Sequence, residues 1–203
     1  CVFCCLPHGV SASIAPQFLD AGARVIDFSA DYRLDSAEVF AEWYNQKHPD
    51  PDRLGKVPYG LPELFREQIR SAPLVANPGC YPTSAILPLA PLLKAGLIDP
   101  SDIVVDSKSG VTGAGRTPTL LSHYPECNES MCAYNLGRHR HTPEIAQYLG
   151  WAAGEKAGVL FTPHLVPMDR GILSTTYSRP RDGVTEQQLL ETLSSFYANE
   201  PFV

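Results

Sequence analysis

The sequence predicts an α/β fold in which a domain built on a parallel sheet precedes a second domain with a mixed sheet. In the first part of the chain, short apolar strand segments alternate with a helical segment, a βαβ rhythm that is typical of parallel sheets. This rhythm gives way to a mixed pattern near Cys80. The length of 203 residues leaves room for two small domains. We therefore expect domains over residues 1–79 and 80–203.

Composition narrows the functional classes. Hydrophobic residues make up 44% of the chain and charged residues 19%, which indicates a globular protein. The formal net charge is −6 and the charges are dispersed, which argues against nucleic acid as the main partner. No uncharged apolar run approaches the roughly 20 residues of a membrane-spanning helix, so no membrane partner is expected. The first residues also lack the basic start and the cleavage site of a signal peptide.

The cysteines favour a reducing, cytoplasmic setting. Cys1, Cys4 and Cys5 crowd into the first predicted strand, where the adjacent Cys4 and Cys5 must point to opposite faces of the sheet. This spacing suits reduced thiols better than a disulfide framework. A zinc site can be drawn by adding His8, but two of its ligands would face the wrong side of the strand. We therefore expect no metal.

The first domain is predicted to contain a few short elements. Three apolar segments are expected to be strands: residues 2–6, 24–28 and 74–76. The helix between the first two spans residues 11–21, with Ser11 as its N-cap and Gly22 at its end. The proline-rich stretch 50–64 is predicted to be an irregular surface connection.

The second domain is predicted to open with a helix from Cys80 to Gly96. Pro82 is tolerated in the first turn, whereas Pro88 and Pro91 predict a kink. The apolar face of this helix is expected to comprise Ile86, Leu87, Leu89, Leu92 and Leu93.

The remaining elements are strands interleaved with two helices. The strands are predicted at residues 103–106, 159–162 and 173–178. One helix opens at Thr142 or Pro143, and the last is capped by Thr185, which forms a capping box with Gln188. The apolar side of the last helix is expected to comprise Leu189, Leu190, Leu193, Phe196 and Tyr197.

Cys80 is the strongest candidate for a chemical role. It stands between Gly79 and the first turn of the predicted helix, where unpaired backbone N–H groups and the helix dipole favour a thiolate. Gly79 leaves the approach to the thiol open, and the same N–H groups can hold an oxyanion. The local context therefore predicts a nucleophile, and a buried structural cysteine is the alternative.

A proton carrier for such a thiol is available in one short segment. The stretch "GRHRHTPEI" brings together His139, Arg140, His141 and Glu144. One histidine would be the general acid and base, and Glu144 would orient a side chain. Spacing alone does not rank His139 against His141. A solvated charged face ahead of a helix is the alternative interpretation.

The glycine-rich stretch "SGVTGAGR" is a candidate binding loop. Its glycines at Gly110, Gly113 and Gly115 let a ligand approach the backbone, and Ser109 and Arg116 suit a phosphate or carboxylate. Its position in the chain does not match a dinucleotide fingerprint, which follows the first strand of such a fold. A flexible loop is the alternative.

Taken together, these segments resemble the N-acetyl-γ-glutamyl-phosphate reductase family, which is related to aspartate-semialdehyde dehydrogenase. The pair "NPGCYPT" and "HRHTPEI" is the most specific part of the resemblance. The matching stretches span nearly the whole chain: "LPHGVS" at 6–11, "VIDFSADYRL" at 25–34, "YGLPEL" at 59–64, "ANPGCYPT" at 76–83, "DSKSGVTGAGR" at 106–116, "AYNLGRHRHTPEI" at 133–145 and "FTPHLVPMDRGIL" at 161–173.

The resemblance implies an NADPH-dependent reduction of an acyl phosphate to an aldehyde, here N-acetyl-glutamyl 5-phosphate in arginine biosynthesis. Cys80 matches the family's nucleophile, which forms a thioester. His139 matches the acid/base residue, and Glu144 matches its supporting carboxylate. The fold implied is a Rossmann-type domain, of which residues 1–79 are part, followed by an α+β catalytic and dimerisation domain. A homo-oligomer, a dimer or a tetramer, is implied as well.

The resemblance also assigns binding residues. The positions matched to the NADP(H) site are Pro7, His8, Ser109, Gly110, Gly113 and Gly115. Arg116 and Arg140 are matched to anionic groups of the acyl-phosphate substrate, without a ranking between phosphate and carboxylate.

The chain departs from the family pattern at both ends. The glycine-rich phosphate loop expected near the start of the cofactor domain is absent, and the chain stops at Val203, within the family's second domain. We therefore expect a fragment that lacks both ends and is inactive by itself. The alternatives are a reductase for aminoadipyl or aspartyl phosphate, a Cys/His thiol hydrolase without a nucleotide, and an inactive binding fragment.

Overall fold

A computed structural model describes all 203 residues and divides them into two compact units. Unit 1 contains residues 1–79 with 199–203, and unit 2 contains residues 80–198. Unit 1 holds a three-stranded parallel sheet, and unit 2 holds a four-stranded mixed sheet. The predicted fold class is therefore confirmed. No helix is both long and apolar enough to cross a membrane.

The sheet of unit 1 has the strand order β1-β2-β3. Its strands are β1 (Val2–Cys4), β2 (Val25–Asp27) and β3 (Leu74–Ala76). Its helices are α1 (Val10–Asp20), α2 (Ala37–Tyr44) and α3 (Pro62–Ser71). The three predicted strands are confirmed, with shorter bounds for the first two. Helix α2 was not predicted, although Ser36 caps it by accepting a hydrogen bond from the N–H of Val39.

The start of α1 differs from the prediction. Ser11 is not the N-cap but a fully buried residue inside the helix. The helix follows Gly9, whose φ of 82° is the left-handed region that favours glycine. The carboxylate of Asp31 accepts hydrogen bonds from the N–H groups of Gly9 and Ala12, both at 2.8 Å. A side chain from a later part of the sequence therefore does the capping. The predicted end is confirmed, because Gly22 follows the C-cap residue with a φ of 76°.

The proline-rich stretch 50–64 is not the irregular surface connection that the sequence predicted. It contains a 3₁₀ turn at Pro51–Arg53 and the first residues of α3. Three of its apolar side chains are buried, namely Leu54, Tyr59 and Leu61. Pro62 begins α3 because a proline costs no hydrogen bond in the first turn of a helix.

The sheet of unit 2 has the strand order β5-β6-β4-β7, with β4 and β6 parallel. Its strands are β4 (Ile103–Gly110), β5 (Cys132–Ala133), β6 (Val159–Val166) and β7 (Ile172–Tyr177). Its helices are α4 (Cys80–Lys94), α5 (Tyr124–Cys127), α6 (His141–Ala153) and α7 (Glu186–Phe196). Strands β4 and β6 are longer than predicted, and the short elements β5 and α5 were not predicted. The predicted capping box of Thr185 and Gln188 is confirmed.

Helix α4 runs through Pro88 and Pro91. A proline has no N–H, so Pro91 cannot donate to the carbonyl of Leu87 four residues earlier. The hydroxyl of Tyr197, which follows α7, donates to that carbonyl at 2.5 Å instead. A partner from another element therefore satisfies the acceptor that Pro91 leaves unused.

The two faces of the mixed sheet are unlike. Burial alternates along β4, and the inner face of the sheet packs with α4 at β7 and with α6 at β6. Beneath α4, the hydroxyl of Ser174 lies 2.7 Å from that of Ser84 and 2.6 Å from that of Ser107. The opposite side, which we call the outer face, carries Val104, Asp106, Lys108, Leu160, Thr162, His164, Leu173, Thr175 and Tyr177. Leu160, Leu173 and Tyr177 are 56%, 64% and 57% exposed, so this face is uncovered.

Candidate active site

Cys80 is the first residue of α4, and its side chain is exposed. The N-terminus of a helix presents backbone N–H groups without helical partners and a partial positive charge. Both features stabilise a thiolate or an oxyanion at this position. The predicted setting of the thiol is thus confirmed, while its role as a nucleophile stays a prediction.

The turn that precedes Cys80 is held by Arg33. The guanidinium of Arg33 donates from Nε to the carbonyl of Asn77 at 2.7 Å and from Nη2 to the carbonyl of Phe28 at 2.8 Å. Arg33 is only 7% exposed, so these charge-assisted bonds are shielded from water. They tie the ends of β2 and β3 together within unit 1, just ahead of Cys80 in the chain.

Aromatic rings surround His139. Its imidazole centroid lies 5.5 Å from Tyr81, 5.5 Å from Tyr134, 5.2 Å from Phe161 and 4.9 Å from His141. The first three contacts are edge-on, with interplanar angles of 87°, 70° and 89°. This packing fixes the ring in an apolar setting next to the start of α4.

The same surroundings keep His139 neutral. Burial, together with the nearby charges of His141 and Arg140, lowers the pKa of His139 to about 3, against an opposing effect of Glu144. The N–H of His141 donates to Nδ1 of His139 at 3.1 Å. Because Nδ1 accepts this bond, the neutral ring carries its proton on Nε2. His139 therefore presents a hydrogen-bond donor, and a charged imidazolium is disfavoured.

A pair of tyrosine hydroxyls lies beside this ring. The hydroxyl of Tyr81 is 2.8 Å from that of Tyr134, and the side chain of Ser109 also hydrogen bonds to Tyr81. Burial raises the pKa of both tyrosines, and the charge of the Cys80 thiolate raises it further. Cys80, Tyr81, Tyr134 and His139 therefore belong to one cluster within unit 2.

Glu144 and Arg140 lie at the start of α6. Glu144 is in the first turn and is only 1% exposed, where the helix dipole favours a carboxylate. Its charge acts electrostatically on His139, while its role as a supporting carboxylate stays a prediction. Arg140 is the exposed N-cap residue of α6 and stands next to His139.

The first part of the glycine-rich stretch belongs to a strand, and its backbone N–H groups are paired within the protein. Ser109 and Gly110 belong to β4, and the N–H of Gly110 donates to the carbonyl of Gly171. The next two N–H groups donate to the carbonyls of Met168 and Asp169. A Cβ at Gly110 would lie 2.7 Å from the backbone N of Arg170, so this glycine permits close contact between two backbones.

The rest of that stretch is exposed. Gly113 lies in a 3₁₀ turn over Val111–Ala114, and Gly115 follows with a φ of 90°. Arg116 is exposed and makes no ion pair. Of the residues predicted here, the structure brings only Ser109 into the cluster, while binding by the others stays a prediction.

Pro7 and His8 lie in unit 1, after the end of β1. The N–H of Ala30 donates to Nδ1 of His8 at 3.2 Å, and the His8 ring packs edge-on against Tyr44. The carboxyl edge of a parallel sheet is where dinucleotides bind in folds of this class. The N-terminus of α1, however, already holds the carboxylate of Asp31 and is no phosphate site.

Sequence reasoning missed Arg33, Tyr81, Tyr134 and Phe161. Tyr81 follows Cys80 directly, and Tyr134 lies in the same matched stretch as His139, so position in the motifs was the available signal. None of the six cysteines forms a disulfide, and Cys4 is buried while Cys5 is exposed. No group of three or more histidine, cysteine, aspartate or glutamate side chains is placed to hold a metal ion.

Family models match both parts of the chain. Residues 1–72 match the NAD binding domain of semialdehyde dehydrogenase, and residues 80–203 match the semialdehyde dehydrogenase dimerisation domain.

Curated relatives share more than half of the residues. Proteins named N-acetyl-gamma-glutamyl-phosphate reductase are 58% identical in Rhodopirellula baltica, 54% in Magnetococcus marinus and 57% in Pelobacter propionicus. The alignments cover 98%, 100% and 100% of this chain but only 59%, 58% and 58% of those proteins. The chain thus spans about three-fifths of the length of these relatives.

Solved structures share the fold at low identity. Aspartate semialdehyde dehydrogenase II from Vibrio cholerae has a TM-score of 0.69 at 17% identity, over 96% of this chain and 60% of that one. Aspartate semialdehyde dehydrogenase with NADP from Candida albicans has a TM-score of 0.62 at 14% identity, over 94% of this chain and 54% of that one. At such identities the likeness is evidence for the fold alone.

Proposed function

Because the chain belongs to the semialdehyde dehydrogenase family, we propose that it carries the catalytic residues of an NADPH-dependent reductase. The proposed reaction converts N-acetyl-glutamyl 5-phosphate into N-acetyl-glutamate 5-semialdehyde, a step of arginine biosynthesis. The observation that carries this proposal is the cluster of Cys80, Tyr81 and His139 at the start of α4. The names of the relatives support the choice of substrate over aspartyl or aminoadipyl phosphate.

Cys80 is the proposed nucleophile. Its thiolate attacks the acyl carbon, the bond from that carbon to the phosphate oxygen breaks, and inorganic phosphate leaves with the bonding electrons. A thioester remains on Cys80. The N–H groups at the start of α4 stabilise the thiolate beforehand and the oxyanion during attack.

The two histidines take different parts in this proposal. His139 donates from Nε2 to the developing oxyanion, since its Nδ1 already accepts the N–H of His141. The lowered pKa keeps this ring neutral, and the acid/base role that the resemblance implied for His139 stays part of the proposal. His141, at the start of α6 with Glu144 in the same turn, is the other candidate to receive the proton of the Cys80 thiol.

The cofactor would meet this chain at the carboxyl edge of the parallel sheet. Leu6, Val10 and Phe28 are 38%, 42% and 45% exposed near that edge, and exposed apolar side chains of this kind suit a nicotinamide ring beside Pro7 and His8. The N–H groups at the start of α1 are already occupied by Asp31. The phosphates of the cofactor therefore require other residues of the whole protein. When bound, the nicotinamide of NADPH supplies the hydride that reduces the thioester.

The whole protein is proposed to be a homo-oligomer. Residues 80–203 match a dimerisation domain, and the outer face of the mixed sheet is uncovered. Leu160, Leu173 and Tyr177 supply apolar area there, around an ion pair between Asp106 and Lys108 at 2.5 Å. A second copy that packs against this face would bury its apolar side chains.

The reverse reaction tests the proposed activity. The whole protein, given N-acetyl-glutamate semialdehyde, phosphate and NADP, is expected to form NADPH, which is followed by its near-ultraviolet absorbance. The variant Cys80→Ser should lose this activity by a factor of about 10⁴ or more, because the serine hydroxyl is not ionised. Cys127→Ser, at a partly buried cysteine of another segment, is the matched control and should retain it.

Two results would contradict the proposal. Hydrolysis of esters or amides by Cys80 without NADPH formation would indicate a thiol hydrolase. Faster turnover of aspartate semialdehyde or aminoadipate semialdehyde than of the N-acetylated substrate would indicate a reductase with another substrate.

A further inference from the structure

The nucleophile and the hydrogen-bond donor of the proposed site come from different elements. Cys80 begins α4, whereas His139 lies in the segment between β5 and α6. Nothing in the covalent structure fixes their separation, so noncovalent contacts must set it. In a reaction that depends on alignment, a displacement of about 1 Å can cost a factor of about 100 in rate.

Each of these two residues has a tyrosine as a close neighbour in the chain. Tyr81 directly follows Cys80, and Tyr134 precedes His139 by five residues. The rings of both tyrosines pack edge-on against His139, at 5.5 Å each. Their hydroxyls meet at 2.8 Å.

Between Tyr134 and His139 the segment is exposed and has few contacts with the rest of unit 2. Asn135 and Gly137 have positive φ values of 48° and 66°, and residues 135–138 are exposed. The N–H of Tyr134 donates to the carbonyl of Pro163 on β6, which ties the start of the segment to the sheet. The Tyr134 hydroxyl then connects this segment to α4.

The hydroxyl pair lies in a sheltered position. Tyr81 is only 3% exposed, and its hydroxyl also hydrogen bonds to the side chain of Ser109 on β4. A buried hydroxyl without a partner is costly, so the two tyrosines favour a single arrangement in which both are paired. Strand β4, helix α4 and the segment before α6 thereby meet at one point.

We propose that Tyr81 and Tyr134 form a hydroxyl clasp that sets the position of His139 relative to Cys80. Both are positioning residues for the reaction proposed above, on which this inference rests. They act through the imidazole: the rings restrict its tilt, and the hydrogen bond keeps the rings together. Without the clasp, the His139 segment moves away from the start of α4 and Nε2 loses its alignment with the oxyanion.

A double-mutant cycle on the whole protein tests the clasp. Tyr81→Phe and Tyr134→Phe each keep the ring and remove one hydroxyl. Each single variant is expected to lower kcat by about tenfold or more, with KM nearly unchanged. The double variant should be no slower than the slower single one, because the hydrogen bond is already lost in both.

Tyr197→Phe is the matched control. It also removes a hydroxyl that makes a hydrogen bond within unit 2, to the carbonyl of Leu87, but it leaves the His139 cluster intact. Its kcat should equal that of the wild type. A loss of kcat in the control as large as in Tyr134→Phe would overturn the proposal, since the effect would then be general destabilisation.

A second measurement does not depend on activity. Nitrogen-15 NMR of labelled protein reports which imidazole nitrogen of His139 carries the proton, and His139→Gln identifies the signal. The wild type should show one sharp set of His139 ring signals with the proton on Nε2. In Tyr134→Phe the ring is no longer held in one position, so these signals should broaden or split. Tyr197→Phe should keep the wild-type signal.

The outcomes separate this inference from the proposed function. Multiplicative effects in the double variant, or His139 ring signals in Tyr134→Phe that are as sharp and single as in the wild type, would overturn the clasp even in an active reductase. If the wild type lacks reductase activity, the proposed function fails, and the NMR comparison alone decides whether the clasp holds His139.

Discussion

At the scale of single residues, His139 shows how neighbours decide chemistry. A histidine in solution exchanges its proton near neutral pH. Here Tyr81, Tyr134 and Phe161 cover much of the ring, and the N–H of His141 donates to Nδ1. The residue is thereby a donor of fixed tautomer.

This environment predicts a pH dependence of stability. The pKa of His139 is lowered from 6.5 to about 3 in the folded chain, so below pH 6.5 the unfolded chain binds a proton that the folded chain does not. The free energy of unfolding should therefore fall as pH decreases from 6.5 towards 3, by up to about 2 kcal/mol at pH 5. Above that window His139 contributes no dependence.

Urea unfolding at several pH values measures this effect. His139→Gln should lose the part of the acid sensitivity that His139 causes, while His123→Gln, at an exposed histidine, should behave like the wild type. Equal acid sensitivity in His139→Gln and the wild type would show that the imidazole is not kept neutral by folding.

Cys80 and His139 differ in how far the sequence could predict them. The setting of Cys80 is local, because Gly79 and a helix start are visible in adjacent residues. The state of His139 depends on Tyr81 and Phe161, which are distant in sequence. Spacing alone could not rank His139 above or below His141 for this reason.

At the scale of elements, α4 shows how a helix can contain two prolines. Its apolar residues face the core, and Leu89, Ile86 and Ala90 are almost fully buried. This burial outweighs the hydrogen bonds that Pro88 and Pro91 remove. The Tyr197 hydroxyl then satisfies the Leu87 carbonyl.

Removing that hydroxyl should destabilise unit 2. Tyr197→Phe leaves the carbonyl of Leu87 without either the helical donor or the phenol, at a cost of about 1–2 kcal/mol. The midpoint of urea unfolding should fall accordingly. Tyr124→Phe, at a tyrosine that is 72% exposed, is the control and should leave the midpoint unchanged. An equal midpoint for Tyr197→Phe and the wild type would mean that water replaces the phenol.

Element starts were predictable where the capping group is local. The box of Thr185 and Gln188 involves residues three apart, and it is confirmed. The cap of α1 is Asp31, which lies beyond the next strand. The residues adjacent to Ser11 in the sequence therefore could not indicate which side chain caps the helix. The strand character of Ser107–Gly110 was hidden because its polar and small residues are typical of loops, although pairing with β6 and β7 makes them a strand.

At the scale of the whole molecule, the outer face of the mixed sheet exposes apolar side chains that no other element covers. Helices α4 and α6 pack on the inner face only. The outer face combines exposed Leu160 and Leu173 with the ion pair of Asp106 and Lys108. The alternating character of the β7 sequence predicts that its two faces differ. It does not predict what covers the outer face.

Charge on this face should weaken self-association of the whole protein. Leu160→Asp combined with Leu173→Asp places two carboxylates where apolar side chains would be buried between copies, which costs several kcal/mol. Sedimentation equilibrium should show a smaller assembly than for the wild type. Leu190→Asp, at a leucine on α7 that is 54% exposed, is the control. An unchanged mass for the double variant would place the contact between copies elsewhere.

Gly110 bears on which sequences this fold can accept. Its φ of −61° is available to any residue, so backbone conformation does not require a glycine there. The requirement comes from the backbone of Asp169 and Arg170, which occupies the place of a Cβ. A neighbouring main chain therefore excludes any larger residue at position 110. Substitutions of the Arg170 side chain cannot remove this clash, because the contact is with its backbone. A compensating change would have to alter the path of residues 168–171 as a whole.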